Sequence, residues 1–230
     1  LFYPSFSGVL QSINYYPTSY MKRDEGVAYL ALGFGRTIVD GEKCLRISPK
    51  YPSILPQFYS IKSTIQSSQT SFYALPLMAK DQNKEDLNSF PLNKAENDGS
   101  LKWVGSVISQ DDGTIRDTLL ATGPRIVSFS PILKWNTIPF SKLAEEILMM
   151  GKKALGCPVE IEFAVNLYDN KVAEFCLLQI KPMVLTGTNK VKNQEVKDEE
   201  NIFCKSSVTL GDGKINSIRD LIIVKEDTFD

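Results

Sequence analysis

Apolar and polar positions along this chain change over at short intervals, and most of the runs they define have the period of a strand rather than a helix. "GVLQSINYY" (8–16) alternates well enough for a strand that Pro17, Thr18 and Ser19 close, and "GVAYLAL" (26–32) is a continuous apolar run suited to a buried one. "EKCLRISP" (42–49) predicts a further strand ended by Pro49 and Pro52, and "SFYALPL" (71–77), "LKWVGSVI" (101–108) and "RIVSFSPIL" (125–133) predict three more. Between the first two of these three, the polar stretch 79–100 is too poor in apolar residues to build a core of its own and is expected as a surface excursion. One stretch has helical spacing. In "PFSKLAEEILMMGKKALG" (139–156), Leu143, Ile147, Met150 and Ala154 recur on one face, Ser141 is placed to cap the start, Glu145 and Glu146 lie early, and Gly156 ends it. The run 186–201 has no apolar period and mixed charges, as a linker does, and 202–230 closes the chain with a small apolar cluster around a "GDG" turn. The pattern predicts an α+β domain over 1–185, largely antiparallel with few helices, then a linker and a C-terminal connecting segment.

The helix is followed by "VEIEFAVNLYDNKVAEFCLLQIKP" (159–182), which predicts two strands joined by a polar turn. Side chains alternate between the faces of a strand, so Glu160 and Glu162 point one way while Ile161, Phe163 and Val165 point the other. On the second strand, Cys176, Leu178 and Ile180 are assigned to the apolar side, and Gln179 and Lys181 to the polar one. A register setting Ile161 against Ile180 and Phe163 against Leu178 sets Glu162 against Gln179 and Glu160 against Lys181. Two readings of that face stay open at this point. It is a wetted face of an amphipathic hairpin, or an acid and amide cluster that holds a hard cation such as Mg²⁺, with the lysine facing anionic ligand oxygens.

Composition narrows the chemistry. The chain has 230 residues, 43% of them hydrophobic, and its net charge is −1, which gives no broad basic surface for nucleic acid or anionic membrane. No apolar run approaches the roughly 20 residues that span a bilayer and the start lacks a signal-peptide pattern, so a cytoplasmic protein is expected. Cys44, Cys157, Cys176 and Cys204 are widely spaced without a CxxC pair and are expected as reduced thiols. There are 0 histidines, which removes the commonest general base, His-activated nucleophiles and histidine metal sites; any chemistry runs on carboxylates, lysines, arginines and a bound metal. The chain opens on Leu1 rather than methionine, and a piece of something longer is expected.

"GFGRTIVDG" (33–41) could let backbone amides approach an anion with Arg36 adding charge, but it fits neither the GxxxxGK[ST] nor the GxGxxG fingerprint, and taken alone it is read as a tight turn after a buried strand in preference to an anion site. Arg46, Arg116 and Arg125 are similarly open between phosphate contacts and surface pairing. "SQDDGTIRD" (109–117) lacks calcium-loop spacing and is expected as a turn between strands, and Trp103 and Trp135 are expected in the core.

Taken together, "SGVLQSINYYP", "GVAYLALGFGRTIVDGEKCLRISPKYP" and "PVEIEFAV…FCLLQIKPM" make residues 8–183 resemble the later part of the ATP-grasp nucleotide-binding domain of the phosphoenolpyruvate synthase and pyruvate, phosphate dikinase family. The resemblance implies an ATP-grasp C-terminal subdomain truncated at its N-terminal side, since the family's phosphate-clamping lysine and arginine and its adenine-contacting strand precede "SGV". It implies ATP and Mg²⁺ as cofactors, with Glu162 and Gln179 binding the metal together with the nucleotide phosphates, Glu160 supporting the cluster, Lys181 contacting phosphate as the catalytic cation, and Arg36 as a further nucleotide-binding candidate. The family usually has arginine where this chain has Lys181; a lysine keeps the charge and loses the two-pronged grip. The implied function is to split ATP and phosphorylate a histidine on another domain on the way to phosphoenolpyruvate, with the phosphohistidine and pyruvate-binding domains of the same parent chain as partners and no activity for the fragment alone. A non-catalytic domain that keeps the fold, and the ATP-binding domain of another dikinase such as one acting on glucan, are the alternatives.

Overall fold

The computed structural model describes residues 1–18, 21–77, 87–169, 172–183, 202–203 and 216–222. The chain divides into two compact units, Leu1–Met183 and Val184–Asp230. The expected linker 186–201 and the "GDG" turn lie outside the described residues, and the few described positions of the second unit carry no regular secondary structure.

The first unit runs β1 (Phe6–Gln11), β2 (Val27–Ala31), α1 (Arg36–Val39), β3 (Leu45–Ile47), α2 (Ile61–Ser67), β4 (Ser71–Ala74), β5 (Asn88–Pro91), α3 (Leu92–Asn97), β6 (Gly105–Ile108), β7 (Ile115–Arg116), β8 (Arg125–Val127), α4 (Ser130–Leu133), α5 (Phe140–Leu155), β9 (Val159–Leu167) and β10 (Ala173–Pro182). The main sheet has five strands in the order β10-β9-β1-β2-β3, with a second sheet β4-β5 and a third β7-β6-β8. Every strand pairing among the described residues is antiparallel. This is the α+β, mostly antiparallel architecture that the sequence pattern predicts.

One face of the main sheet is covered. Phe6, Leu10, Leu30, Ile161, Phe163 and Val165 are buried there, and Phe6 meets Phe129, Phe140 and Phe163 edge-on with ring centroids 5.5, 5.6 and 6.2 Å apart. Gly8 is the β1 register partner of Phe163, whose ring occupies the space a Cβ would take. Helix α5 closes this face through Phe140, Ala144, Leu148 and Gly151, all buried. The expected stripe of Leu143, Ile147, Met150 and Ala154 is therefore rotated: Leu143 and Ile147 flank the contact, while Met150 and Ala154 are exposed. The helix docks along its small residues because they let it approach closely. A Cβ on Gly151 would stand 3.0 Å from Ile180, 3.1 Å from Val159 and 3.3 Å from Ile161. Ser141 is not the cap. The helix starts two residues earlier, with Pro139 in the capping position and no side-chain cap, while Gly156 ends it in the left-handed conformation as expected.

Other expectations change, and the strand expected over 8–16 ends at Gln11. Residues 88–97 of the polar stretch are not an excursion: β5 pairs with β4, and Leu92 and Ala95 of α3 enter the common core. A few apolar side chains suffice when the core they join is shared. The strand expected over 125–133 stops at Val127, because Phe129 turns into the left-handed region (φ 54°) and Ser130–Leu133 wind into α4. Leu101–Trp103 form a short 3-10 turn ahead of β6, with Trp103 packed against the core. Trp135 is exposed and donates its Nε1 hydrogen to Asp117 at 3.1 Å. The acidic segment 109–117 supplies the β6–β7 turn at 109–114, as expected, with Asp112 accepting from Thr114, and then enters β7.

Candidate functional site

The opposite face of the main sheet carries the polar side chains of the hairpin. β9 and β10 pair with Ile161 opposite Ile180, Glu162 opposite Gln179 and Glu160 opposite Lys181, as the pattern predicts. One step further on the register departs from expectation. Phe163 faces Leu177, not Leu178, because a β-bulge falls between Leu177 and Gln179. Cys176 consequently pairs with Ala164 and shares its face with the acids, while Phe175, opposite Val165, lies on the core side and stacks on Phe163 at 5.0 Å.

Two rows of side chains cross the sheet on the polar face. Register places Gln179, Glu162, Val9, Tyr29 and Arg46 in one row and Lys181, Glu160 and Gln11 in the next. The Lys181 ammonium donates to both acids, 2.8 Å from Glu160 Oε1 and 3.1 Å from Glu162 Oε1. Gln11 Nε2 donates to the other oxygen of Glu160 at 2.7 Å. Burial alone would lift the Glu160 carboxyl, but the hydrogen bonds from Lys181 and Gln11 and the ammonium charge outweigh it and hold the group below its ordinary value of 4.5. The hydrogen bonds to Glu160 and then to Glu162 push Lys181 above its ordinary 10.5.

Above these rows, the segment that follows β2 makes a tight turn into α1, and the chain from α1 to β3 forms a wall. Val9, Gln11 and Tyr29 on the floor, Ile38, Val39, Glu42 and Cys44 on the wall and Glu160, Glu162 and Lys181 at one end line a cleft of about 510 Å³. Gln179 stands opposite Glu162 on the exposed outer strand. Arg36, at the start of α1, is not among the cleft-lining residues; it pairs with Asp40 at 2.9 Å and lies over the Tyr73 ring at 5.0 Å. Arg46 donates to Asn14 Oδ1 and to the Tyr16 carbonyl, and Arg125 to Glu96 and the carbonyls of Leu119, Ala121 and Gly123. Gln11, Tyr29 and Glu42 were not singled out from the sequence.

The family model of the pyruvate phosphate dikinase AMP/ATP-binding domain matches residues 2–202. The chain belongs to this family. No curated protein matches it. Family membership makes this dikinase domain the ATP-binding part of a kinase or phosphotransferase-type enzyme. The donor set fits a nucleotide-bound magnesium ion: two carboxylates on one strand and an amide opposite, hard oxygen ligands of the kind that leave the remaining positions to phosphate and water. Among the described residues no three His, Cys, Asp or Glu side chains gather as an all-protein metal cage. Cys44, Cys157 and Cys176 are unbridged, and Cys204 lies outside the described residues. Among the described residues no helix is long and apolar enough to cross a membrane.

Proposed function

We propose that the polar face of the β9–β10 hairpin binds Mg²⁺·ATP, and that the domain uses it to split ATP and pass a phosphoryl group to a histidine on another domain, on the way from pyruvate to phosphoenolpyruvate. The observation that carries this reading is the register of the hairpin, which sets Glu162 opposite Gln179 and lets one ammonium, Lys181, bridge Glu160 and Glu162. A bound magnesium ion supplies charge neutralisation of the polyphosphate. Glu162 and Gln179 hold it through oxygen atoms, Glu160 keeps negative charge beside it, and Lys181 turns its ammonium to phosphate oxygens as a point charge rather than a fork. The sequence has 0 histidines, so the acceptor histidine is supplied from elsewhere, and the 230-residue chain alone binds nucleotide weakly without turnover.

Calorimetric titration of ATP, with Mg²⁺ or with EDTA, tests the reading. Wild type binds more tightly with Mg²⁺. Glu162→Ala loses that gain by about tenfold or more, the worth of a contact of about 1.5–3 kcal/mol to a charged group. Affinity independent of Mg²⁺, or unchanged in Glu162→Ala, overturns it.

A further inference from the structure

The two acids of β9 share a face and a cation, yet their neighbours on β1 differ. Glu160 is the register partner of Gln11, and Glu162 is the partner of Val9. Gln11 donates to Glu160 Oε2 at 2.7 Å while Lys181 takes Oε1 at 2.8 Å, so both oxygens of Glu160 are engaged, one from β1 and one from β10. The valine opposite Glu162 has nothing to donate. Glu162 meets Lys181 at the longer distance of 3.1 Å.

We propose that Gln11 is a positioning residue of the metal and nucleotide site: by fixing Glu160 as the resting place of the Lys181 ammonium, it leaves Glu162 to the metal. This inference rests on the reading of the site given above. A divalent ion and an ammonium set against the same Glu162 carboxylate repel each other, so the metal is held most tightly when the ammonium rests elsewhere. The metal therefore gains most from Glu162 when Lys181 leaves its Oε1. An acid held from its far side keeps Oε1 aimed at the ammonium and can retain it; an acid free to rotate cannot, and Lys181 then competes with the metal for Glu162. Gln11 thus acts on the metal through Glu160 and Lys181, without touching it. An amide suits the task, since it donates to a carboxylate without adding a charge that would repel the metal or the lysine.

The test is ATP titration of the 230-residue chain in Mg²⁺ and in EDTA. Gln11→Met keeps the length of the side chain and removes the donor; it should reduce the gain from Mg²⁺ about tenfold, one charged hydrogen bond, while affinity in EDTA changes less than about twofold. On a Glu160→Gln background, which already removes the charged acceptor, Gln11→Met should have no further effect. Val9→Gln is the converse variant. It gives Glu162 the donor that Glu160 has, and should weaken the gain from Mg²⁺ even if Gln11→Met fails to fold. Losses equal in Mg²⁺ and EDTA, additive losses in the double variant, or a Val9→Gln protein with undiminished Mg²⁺ dependence overturn the positioning role alone. A wild-type chain without Mg²⁺ dependence removes the nucleotide reading itself and this inference with it.

Discussion

Gly8 sits where the aromatic core meets the strand that faces the site. A Cβ at that position would lie 2.4 Å from the Phe163 ring and 2.5 Å from the Tyr29 carbonyl oxygen, so the ring crosses the strand only because there is no side chain. Phe163 is 1% exposed and has little room to retreat. Gly8→Ala should cost about 1–3 kcal/mol by overpacking, measured as a lower urea midpoint with an unchanged slope, and adding Phe163→Leu should relieve only the clash with the ring, since the Tyr29 carbonyl stays in place. A loss below about 0.5 kcal/mol would show that the ring moves aside. At this scale the sequence reveals a residue's role only where the partner is close in sequence or the period gives it away. Glu160, Glu162, Gln179 and Lys181 were legible because period-2 alternation alone puts each pair on one face. Gln11 was not, since its meaning depends on Glu160, 149 residues further along.

At the level of elements, α5 and the hairpin behave as one unit. Gly151 brings the helix against Val159, Ile161 and Ile180, and the opposite face of those strands carries the acids, the amide and the lysine. Gly151→Val would place branched methyls into that contact and lift the helix. We expect a loss of about 1–3 kcal/mol in urea unfolding, with a weaker gain of ATP affinity from Mg²⁺ as the strands shift. Unchanged stability would mean that the contact is looser than described. The helix was legible from its spacing and its glycine terminator, but its buried side was not, because Ala144 and Gly151 make the contact and hydrophobicity ranks them low. The bulge at Leu178 was equally hidden: "FCLLQI" is apolar at consecutive positions, so a change of phase inside it leaves no mark. Likewise α3 was lost in a polar stretch, since two buried side chains are too few to set a period.

For the whole molecule, ionisation ties stability to pH. Hydrogen bonds to the Lys22 amide and Lys50 hold Glu25 below its ordinary value of 4.5; for Glu160, and for Asp117 with its ordinary 3.8, burial pulls upward and is outweighed by the lysines and other donors around them. A carboxyl whose folded pKa is depressed contributes stability that is fully present above its unfolded value and disappears as pH falls through the folded one. The domain should therefore hold a steady urea midpoint above about pH 5 and lose stability progressively below about pH 4.5. Glu160→Gln should flatten part of that decline, and a wild-type midpoint constant down to pH 3 would contradict the linkage. Lys50 and Lys181 work in the opposite sense, their contribution being lost only as pH rises past 10.5.

The main sheet ends at β10, whereas β9 lies between two neighbours. Glu160 and Glu162 thus ride on a strand gripped along both edges, and Gln179 and Lys181 on one gripped along a single edge among the described residues. The anionic half of the site is the stiff half, and the amide and ammonium are the compliant half. The proposed site should therefore adjust to ligands of different size through β10, with the carboxylates held in place by β9.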